Sequence, residues 1–480
     1  MTGPAVVVVG GGLAGIAAAL ECADSGARVT LVERRNQLGG LTRSFRHGDM
    51  WVDNGQHVFL RCCTAYLTFL ERIGARGDVV LQDRMDIPVL APATAPGGQP
   101  VVGRLRRSGL PAPLHLAGSL LRYPHLGLAD KARLGRAVLA LRRLTLGVPS
   151  LDLHTFESWL QAHGQSDRAI AVLWDLITVP TVNLPAAEAS LAMAAKVFKT
   201  GLLEERDAAD IGWSRVPLGR LLGERSESAL ATAGVEVRTG ERVRSVKAAQ
   251  GAARAFEVAG EGWRAEADGV IVALPHEEAA SVLPPASITG QNRWGELGSS
   301  SVMDVHLVLE TRVTDRQLTA AVDSSVQWVF DRTGSSGLPA GTGQYLAVSL
   351  SASDSYLRRR PEEIVSEVCD EMARLFPSFA PSLVVDSFVT KERNATFRAV
   401  PGTASLRPGP STRLAGLTIA GAWTDTGWPA TMEGAVRSGV AAAQACLISA
   451  WRQHEAGSLG GASPRGSLIS AGDRNQEEVA

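Results

Sequence analysis

The stretch VVVVGGGLAGIAAAL, residues 6–20, decides the fold of this 480-residue chain. Its first four residues form a β-branched run of the length typical of a buried parallel strand, and residues 16–23 have the pattern of a helix. Between them, three glycines have the G-x-G-x-x-G spacing. The segment ARVTLVERR then supplies a second strand that ends at Glu33, 18 residues past the third glycine. The sequence therefore predicts a complete βαβ dinucleotide-binding unit.

Each part of this unit has a physical role in holding a dinucleotide. Gly10 allows the tight turn, Gly12 lets the backbone approach a pyrophosphate, and Gly15 lets the helix pack closely on the strand. The helix N-terminus offers free N–H groups and the positive end of its dipole to the phosphates. Glu33 can accept hydrogen bonds from ribose hydroxyls, and its charge disfavours a 2′-phosphate. The predicted cofactor contacts of the unit are Gly10, Gly12, Leu13, Ala14, Gly15, Glu33 and Arg34.

The composition is that of a globular protein, with 45% hydrophobic and 20% charged residues. A net charge of −1 gives no general attraction to nucleic acid, so no nucleic-acid partner is expected. The five cysteines have no metal-ligand spacing, and we expect no metal site and reduced thiols in the cytoplasm. The N-terminus has no secretion-signal pattern, and no apolar run reaches transmembrane length. Residues 456–480 are predicted to be a disordered tail.

A second glycine pair, Gly39-Gly40, follows Glu33 at a short distance in RRNQLGGLTRSF. This arrangement resembles the flavoprotein superfamily of amine oxidases and phytoene desaturases, in which the second loop passes close to the ribityl and pyrophosphate atoms of the flavin. The resemblance implies that the cofactor is FAD, with Gly39, Gly40 and Leu41 among its contacts. It also implies the fold class, which is an α/β Rossmann-type FAD-binding domain, discontinuous in sequence, with an inserted α+β substrate domain.

The segment LTIAGAWTDTGWPATMEGAVRSGVAAAQACL, residues 417–447, resembles the second cofactor-binding region of the same superfamily. Residues 417–420 are predicted to form a strand, and a helix is predicted from Met432 to residue 443. The resemblance implies that Gly421 lies at the ribityl chain and that Met432 and Glu433 begin a helix that points at the pyrimidine ring of the flavin. The superfamily usually has Asp directly after this glycine, whereas this chain has Ala422, so that Asp425 or a backbone N–H would have to substitute.

A third piece of the cofactor domain is predicted from the middle of the chain. AGVEVRTGERVRSV, residues 233–246, has the pattern of paired strands, and residues 270–274 that of a buried strand. By position in the superfamily, Val243 would make a backbone contact to the adenine end of FAD. The FAD-binding domain is therefore expected to comprise residues 1–90, 214–280 and 395–455, and the substrate and membrane-facing domain residues 91–213 and 281–394.

Five further motifs narrow the resemblance to one family, the hydroxysqualene dehydroxylases of bacterial hopanoid pathways. They are VDNGQHVFL (52–60), LWDLITVPTVNLPAAEAS (173–190), QWVFDR (327–332), TFRAVPGTASLRPGP (396–410) and TDTGWPATMEGAVRSG (424–439). The resemblance implies a reductive reaction in which reduced FAD gives hydride to an allylic carbon of hydroxysqualene as the hydroxyl leaves as water. Squalene is the product, and an external reductant has to reduce the flavin again.

Two alternatives stay open at this point. A carotenoid-type or phytoene-type desaturase would share the fold, the flavin and an apolar tunnel, but would oxidise its substrate. A prenyl-binding carrier of the Rab escort and GDI type would have the fold without a flavin.

The DNGQH motif supplies the candidate catalytic residues. Because a leaving hydroxyl must gain a proton, a general acid is needed, and we assign His57 as the acid and Asp53 as its supporting carboxylate. Gln56 of the same motif is a third candidate. The apolar segments 191–203 and 299–309 are candidates for the lining of a substrate tunnel, although an ordinary core role explains them equally well.

Membrane contact is predicted from residues 104–143, which contain nine Arg or Lys and a single acid, Asp130. Leucines lie between the basic groups, namely Leu110, Leu114, Leu116, Leu120 and Leu121. From Leu134, apolar residues follow at helical spacing at positions 137, 138 and 141, which predicts an amphipathic helix. A basic rim with an apolar face suits an anionic bilayer, the compartment of a squalene-type substrate. We therefore expect a cytoplasmic protein that is peripheral to the inner face of the cell membrane.

Overall fold

A computed structural model describes residues 3–94, 98–249, 254–338, 341 and 343–460, with side chains to residue 455. The strands are β1 (Ala5–Val9), β2 (Arg28–Val32), β3 (Ser44–His47), β4 (Met50–Asp53), β5 (Val58–Leu60), β6 (Val79–Leu81), β7 (Asp86–Ala91), β8 (Val101–Arg106), β9 (Ile211–Ser214), β10 (Glu236–Arg238), β11 (Val243–Ala248), β12 (Phe256–Gly260), β13 (Arg264–Ala267), β14 (Gly269–Val272), β15 (Ser300–Leu309), β16 (Leu318–Ala321), β17 (Trp328–Asp331), β18 (Gln344–Ser351), β19 (Val384–Thr396) and β20 (Leu417–Ile419).

The α-helices are α1 (Leu13–Asp24), α2 (Thr64–Arg72), α3 (Ala117–Arg122), α4 (Leu128–Arg143), α5 (Phe156–Ala162), α6 (Asp167–Ala169), α7 (Asp175–Val182), α8 (Leu191–Phe198), α9 (Arg225–Thr232), α10 (His276–Val282), α11 (Thr333–Ser336), α12 (Pro361–Leu375) and α13 (Met432–Gly460). Segments with π-helical bonding connect α6 to α7, extend α8 and precede α9. In the part of the chain that the structure describes, no helix combines the length and apolarity needed to cross a membrane.

The cofactor half of the molecule is built on a five-stranded parallel sheet. Its strand order is β10-β2-β1-β14-β20, and β1 is central with β2 and β14 on either side. Residues Val6 to Val9 are buried on both faces of this sheet, which is why their sequence is a continuous β-branched run rather than an alternating one. This confirms the predicted fold class of a parallel α/β domain.

The other half is built on a seven-stranded sheet of order β19-β15-β18-β17-β16-β7-β8, mostly antiparallel. The odd-numbered residues of β15 from Met303 to Leu309 pack against α12 in one core cluster. The even-numbered residues Asp304 and His306 lie on the opposite face and are also buried. The sheet therefore has one apolar face that is covered by a helix and one face that carries buried polar groups.

Helices α1 and α13 bring the two ends of the chain together beside β1. Ala14, Ala17 and Ala18 of α1 share a core cluster with Ala442 and Ala443 of α13. A Cβ at Gly439 would overlap the carbonyl oxygen of Ala14, so the helices can approach this closely only because position 439 has no side chain.

Several sequence predictions are corrected by the structure. The strands predicted to pair within residues 233–246 belong to different sheets: β10 is parallel to β2, whereas β11 is antiparallel to β12. Helix α13 continues to Gly460, five residues into the predicted tail, and residues 461–480 lie outside the described residues. A run of mixed polarity cannot reveal which distant strand each segment will pair with.

The close approach of α1 and α13 predicts a large effect of a small substitution. We expect Gly439→Ala to lower the free energy of unfolding by about 1–3 kcal/mol, because the added methyl group overpacks the interface. Gly135→Ala in α4 is the matched control, since a Cβ there meets no atom within 4 Å. It should leave stability unchanged or slightly raised. Denaturant unfolding of both variants measures the difference, and equal stabilities would contradict the packing described here.

Candidate active site

The first glycine loop leads from β1 into α1. Gly10 has a φ of +108°, and its N–H donates to the Val32 carbonyl oxygen at 2.8 Å. The first helical bond runs from the Ile16 N–H to the Gly12 carbonyl oxygen at 2.9 Å. The N–H groups of Ala14 and Gly15 precede this bond, have no partner within the helix and can bind an anion.

Glu33 ties this loop to the end of β2. Its carboxylate is buried and accepts the Gly11 N–H at 2.7 Å and the Arg35 N–H at 2.8 Å. In addition, the Glu241 N–H donates to the backbone carbonyl oxygen of Glu33 at 3.0 Å, which places the start of β11 beside this residue. Val243 itself is buried in a core cluster with Val9 and Val32, the last residues of β1 and β2.

The second glycine pair lies directly on the first loop. The Gly39 N–H donates to the Gly11 carbonyl oxygen at 2.9 Å, and a Cβ at Gly40 would lie 2.9 Å from the Gly12 Cα. Both residues of the pair have left-handed φ values of +109° and +61°. The two loops therefore meet backbone against backbone, and a side chain at position 40 would separate them.

Arg35 rather than Arg34 is the basic residue that faces this contact. The Arg35 guanidinium donates to the Gly40 carbonyl oxygen at 2.9 Å, whereas Arg34 forms an ion pair with Glu278 at 2.8 Å near the surface. The strand alternation that turns Glu33 inward also turns position 35 inward, and this is the signal that would have favoured Arg35. Leu41, also a predicted contact, is 42% exposed.

The third part of the site is the loop between β20 and α13. A buried arginine that the sequence prediction missed fixes this loop. Arg407 donates to the carbonyl oxygens of Trp423, Thr424 and Trp428 at 3.1, 2.6 and 2.8 Å, respectively. Its guanidinium lies 4.7 Å from the centre of the Phe397 ring. Burial lowers the pKa of Arg407 to about 10, so the side chain stays charged at neutral pH. One cation thus fixes the path of the loop that follows Gly421.

The residues around Gly421 show how the missing aspartate is accommodated. Gly421 has a φ of +147°, and its N–H donates to the Ser438 hydroxyl at 2.9 Å. Asp425 is exposed, and its carboxylate accepts the Gly427 N–H of its own turn at 3.2 Å. Asp425 therefore does not replace the expected aspartate, and position 422 offers only backbone groups and a methyl side chain.

Glu433 has a different role from the one expected. Its buried carboxylate accepts the backbone N–H groups of Ala65 and Tyr66 at 3.2 and 2.7 Å and pairs with Arg437 at 2.7 Å. It therefore caps the N-terminus of α2. Any cofactor contact from position 433 has to come from its backbone, in the first turn of α13 beside Met432.

The DNGQH motif lies where the two halves of the molecule meet. Asp53 accepts hydrogen bonds from the Ser44 hydroxyl at 2.6 Å and the Leu218 N–H at 2.9 Å, and it pairs with the buried Arg332 at 2.6 Å. Next to it, Asn54 exchanges two hydrogen bonds with Arg43, three residues after the glycine pair. The motif thus connects the seven-stranded sheet to the cofactor loops.

The predicted partnership of His57 with Asp53 is wrong. His57 Nδ1 lies 3.0 Å from the Gly55 carbonyl oxygen, and both oxygens of Asp53 have the partners given above. Burial lowers the pKa of His57 below its ordinary value, which leaves the imidazole neutral at pH 7. The Gln56 side-chain nitrogen is buried, with no hydrogen-bond partner among the described residues.

These groups fit an FAD molecule. The free amides at the start of α1 suit a pyrophosphate, and the buried Glu33 carboxylate suits a ribose. A Cβ at Gly12 would meet only the Gly40 Cα, at 3.9 Å, so the first loop has open space beside its backbone. A second helix, α13, begins beside the same loops. The arrangement fits a flavin site between the five-stranded parallel sheet and the polar face of the seven-stranded sheet.

Comparison with known proteins supports this description. The family model of flavin-containing amine oxidoreductases matches residues 13–447, and the chain therefore belongs to that family. It is an FAD-dependent oxidoreductase.

Curated relatives match about nine-tenths of the chain. The hydroxysqualene dehydroxylase of Rhodopseudomonas palustris is 29% identical, and that of Sinorhizobium fredii is 28% identical, each over 92% of this chain and 98% of the relative. A zeta-carotene desaturase of Zea mays is 26% identical over 90% of this chain and 82% of the relative. Among solved structures, a putrescine oxidase matches with a TM-score of 0.68 and 18% identity, covering 93% of this chain and 99% of that one. This likeness shows a shared fold.

The position of Glu33 predicts its effect on cofactor binding. We expect Glu33→Ala to weaken FAD binding about 10- to 100-fold, because the two backbone hydrogen bonds that position the first loop are lost. Glu236→Ala is the matched control, since Glu236 lies on the neighbouring strand β10 and is exposed. Titration of the apoproteins with FAD, followed by flavin fluorescence, gives both affinities. An unchanged affinity of the Glu33 variant would contradict the geometry of the site.

Proposed function

We propose that this member of the flavin-containing amine oxidoreductase family converts hydroxysqualene to squalene by reductive dehydroxylation, in squalene and hopanoid biosynthesis. The observation that carries the proposal is the full-length similarity to hydroxysqualene dehydroxylases, which covers 98% of the R. palustris protein. The motifs at residues 53–57 and 424–439 lie at the cofactor loops, as such a reaction requires.

In this reaction reduced FAD, when bound, supplies a hydride to the allylic carbon that loses its hydroxyl group. The chain has to orient the substrate, exclude water and provide a proton to the departing oxygen. The polar face of the seven-stranded sheet, opposite α12, is the surface that meets the DNGQH motif. Three partly buried apolar side chains, Leu60, Trp213 and Trp328, pack with Phe330 beside it and offer an apolar wall for an isoprenoid chain.

The two tunnel segments suggested by the sequence have mainly core roles. Leu191, Ala194 and Phe198 of α8 are buried in a core cluster with α4 and α5. In β15 the apolar face is covered by α12, as described above. Only the even-numbered face of β15 remains as a candidate wall of the substrate site.

Anaerobic turnover tests the reaction. The holoprotein, with its FAD chemically reduced, should convert hydroxysqualene to squalene with a stoichiometry of one per FAD, and the absorbance of oxidised flavin should return in step. The control is oxidised holoprotein with the same substrate, which should form no squalene. Formation of desaturated products from phytoene by the oxidised protein, without squalene from the reduced protein, would favour the desaturase alternative.

We propose further that the substrate is taken from a membrane, through the leucine-rich part of the predicted surface and not through the apolar face of α4. The apolar residues Leu134, Ala137 and Leu141 of α4 are buried in the core, so that face cannot bind lipid. Exposed leucines lie instead in the preceding turn and helices, and at the start of α4. They are Leu110, Leu114, Leu121 and Leu128, and we call them the leucine patch.

The leucine patch has basic neighbours. Leu121 and Leu128 are 71% and 86% exposed, and the Lys131 ammonium donates to the Leu121 carbonyl oxygen at 3.0 Å, next to Arg122. Exposed arginines continue along α4 at positions 133, 136, 142 and 143. Leucines that insert and cations that meet phosphate groups are the two elements of peripheral membrane binding.

Vesicle flotation tests the membrane contact. The protein should float with phosphatidylglycerol vesicles at low salt and less at high salt, since part of the attraction is electrostatic. Leu121→Ser with Leu128→Ser should lower binding about tenfold or more, because two exposed apolar side chains are lost. Ile448→Ser, which changes a 60% exposed apolar residue outside the patch, is the control. Wild-type protein that stays in the bottom fraction at low salt would contradict the proposal.

A further inference from the structure

Asp304 is a buried carboxyl group without a partner. It is 1% exposed, and neither of its oxygens makes a hydrogen bond with any of the described residues. Ser349, in register with Asp304 on β18, and the Gln56 backbone N–H lie near the carboxyl group. They lower its pKa, but less than burial raises it. A buried polar group without partners is costly, so its presence calls for a function.

A second carboxylate nearby shows the contrast. Asp53 pairs with a buried cation, Arg332, and accepts two further hydrogen bonds. Asp304 has no cation of its own, and burial raises the pKa of its carboxyl group to about 7. Two neighbouring carboxyl groups, one paired with a cation and one buried without a cation, form a common arrangement for acid catalysis.

The Asp304 carboxyl group and the His57 ring converge on Gly55 of the DNGQH motif. A Cβ at position 55 would lie 3.8 Å from Asp304 Oδ2 and 3.4 Å from His57 Cε1, at ordinary contact distance. Because residue 55 has no side chain, the carboxyl group is covered on this side by backbone alone. Burial lowers the pKa of His57 and raises that of Asp304 to about 7, so Asp304 is the group at this position with a pKa suited to proton donation near neutral pH.

We propose that Asp304 is the general acid of the site and donates its proton to the hydroxyl oxygen that leaves the substrate. The proposal rests on the proposed dehydroxylation. The allylic C–O bond breaks, and the oxygen keeps the bonding electron pair, takes the Asp304 proton and departs as water. The carbon takes the hydride that reduced FAD supplies, and an external two-electron donor restores the flavin. The Asp304 carboxylate then regains a proton from solvent.

The charged surroundings determine the pH dependence. Asp53 and Arg332 act on Asp304 with opposite sign, and burial is the largest effect. Tyr345 and His306 are neutral because burial raises the pKa of the first and lowers that of the second, to about 3. The ionisable groups that face Asp304 from the packed elements are Asp53, His57, His306, Arg332 and Tyr345.

Single-turnover kinetics of reduced holoprotein with hydroxysqualene test the proposal. Asp304→Asn should lower the rate constant about 100-fold or more, the contribution of a positioned general acid. The wild-type rate should fall as the pH rises through about 7, and the residual rate of the variant should not. Asp315→Asn is the matched control, since the Asp315 side chain is 95% exposed and its ion-pair partner is an arginine, which stays charged throughout this pH range. It should react within about twofold of the wild type, well below the effect of losing a general acid.

Thermal unfolding gives a readout that does not depend on activity. The folded-state pKa of Asp304, about 7, is above its unfolded value of 3.8, so the folded protein binds the extra proton between these values. This contribution to stability is lost as the pH rises through that window. The melting temperature of Asp304→Asn relative to wild type should therefore increase from pH 5 to pH 8, whereas that of Asp315→Asn should not follow this course.

Gly55→Ala is the second variant, in case Asp304→Asn fails to fold or to bind FAD. The added methyl group fits without overlap, and Gly55 is not among the left-handed glycines. It should keep FAD and slow turnover, because it fills the space next to the carboxyl group. If both variants turn over at the wild-type rate, the acid role of Asp304 is overturned but the proposed function is not. A wild-type protein that makes no squalene would overturn the proposed function, and the acid role with it.

Discussion

The rest of the structure depends on close contacts between backbone segments at glycine positions, where no side chain keeps the segments apart. Gly40 lies on Gly12, and Gly439 lies on the carbonyl group of Ala14. These two contacts bring the first loop, the second glycine pair and the last helix of the chain to one place. Because the cofactor site is lined mainly by backbone N–H groups, single side-chain differences such as Ala422 matter less than the distances between these loops.

Buried arginines fix the loops that glycine alone would leave free. Arg407 binds three carbonyl oxygens of the segment after β20, and Arg332 reaches from the end of β17 to Asp53. Each is a single cation that satisfies several acceptors, and removing one partner of such a group leaves an unpaired charge or carbonyl groups in the interior. Arg332 also joins the two halves of the molecule, since its partner belongs to the strand that precedes the DNGQH loop.

The parts that sequence could predict are those in which local spacing has a direct physical meaning. The βαβ unit, the glycine pair, the start of α13 at Met432 and the family all follow from contiguous motifs. The predictions that failed depend on what packs against a segment. The apolar face of α4 has the same pattern whether it meets lipid or protein, and the structure buries it. In the same way, Glu433 had the spacing of a cofactor residue, but the proximity of α2 gives its carboxylate another role.

The acid-base groups show this limit most clearly. Asp53 and His57 are neighbours in sequence, which favoured them as a pair, but Arg332, which follows a distant strand, binds Asp53 instead. Asp304 lies within an apolar strand pattern, and only the register of β15 against β18 places it on the face that meets the motif. A dehydroxylation needs a hydride at carbon and a proton at the oxygen bonded to it. In our proposal the hydride comes from the cofactor held by the parallel sheet, and the proton comes from Asp304 on the mostly antiparallel sheet. The DNGQH loop lies where both sheets contribute residues.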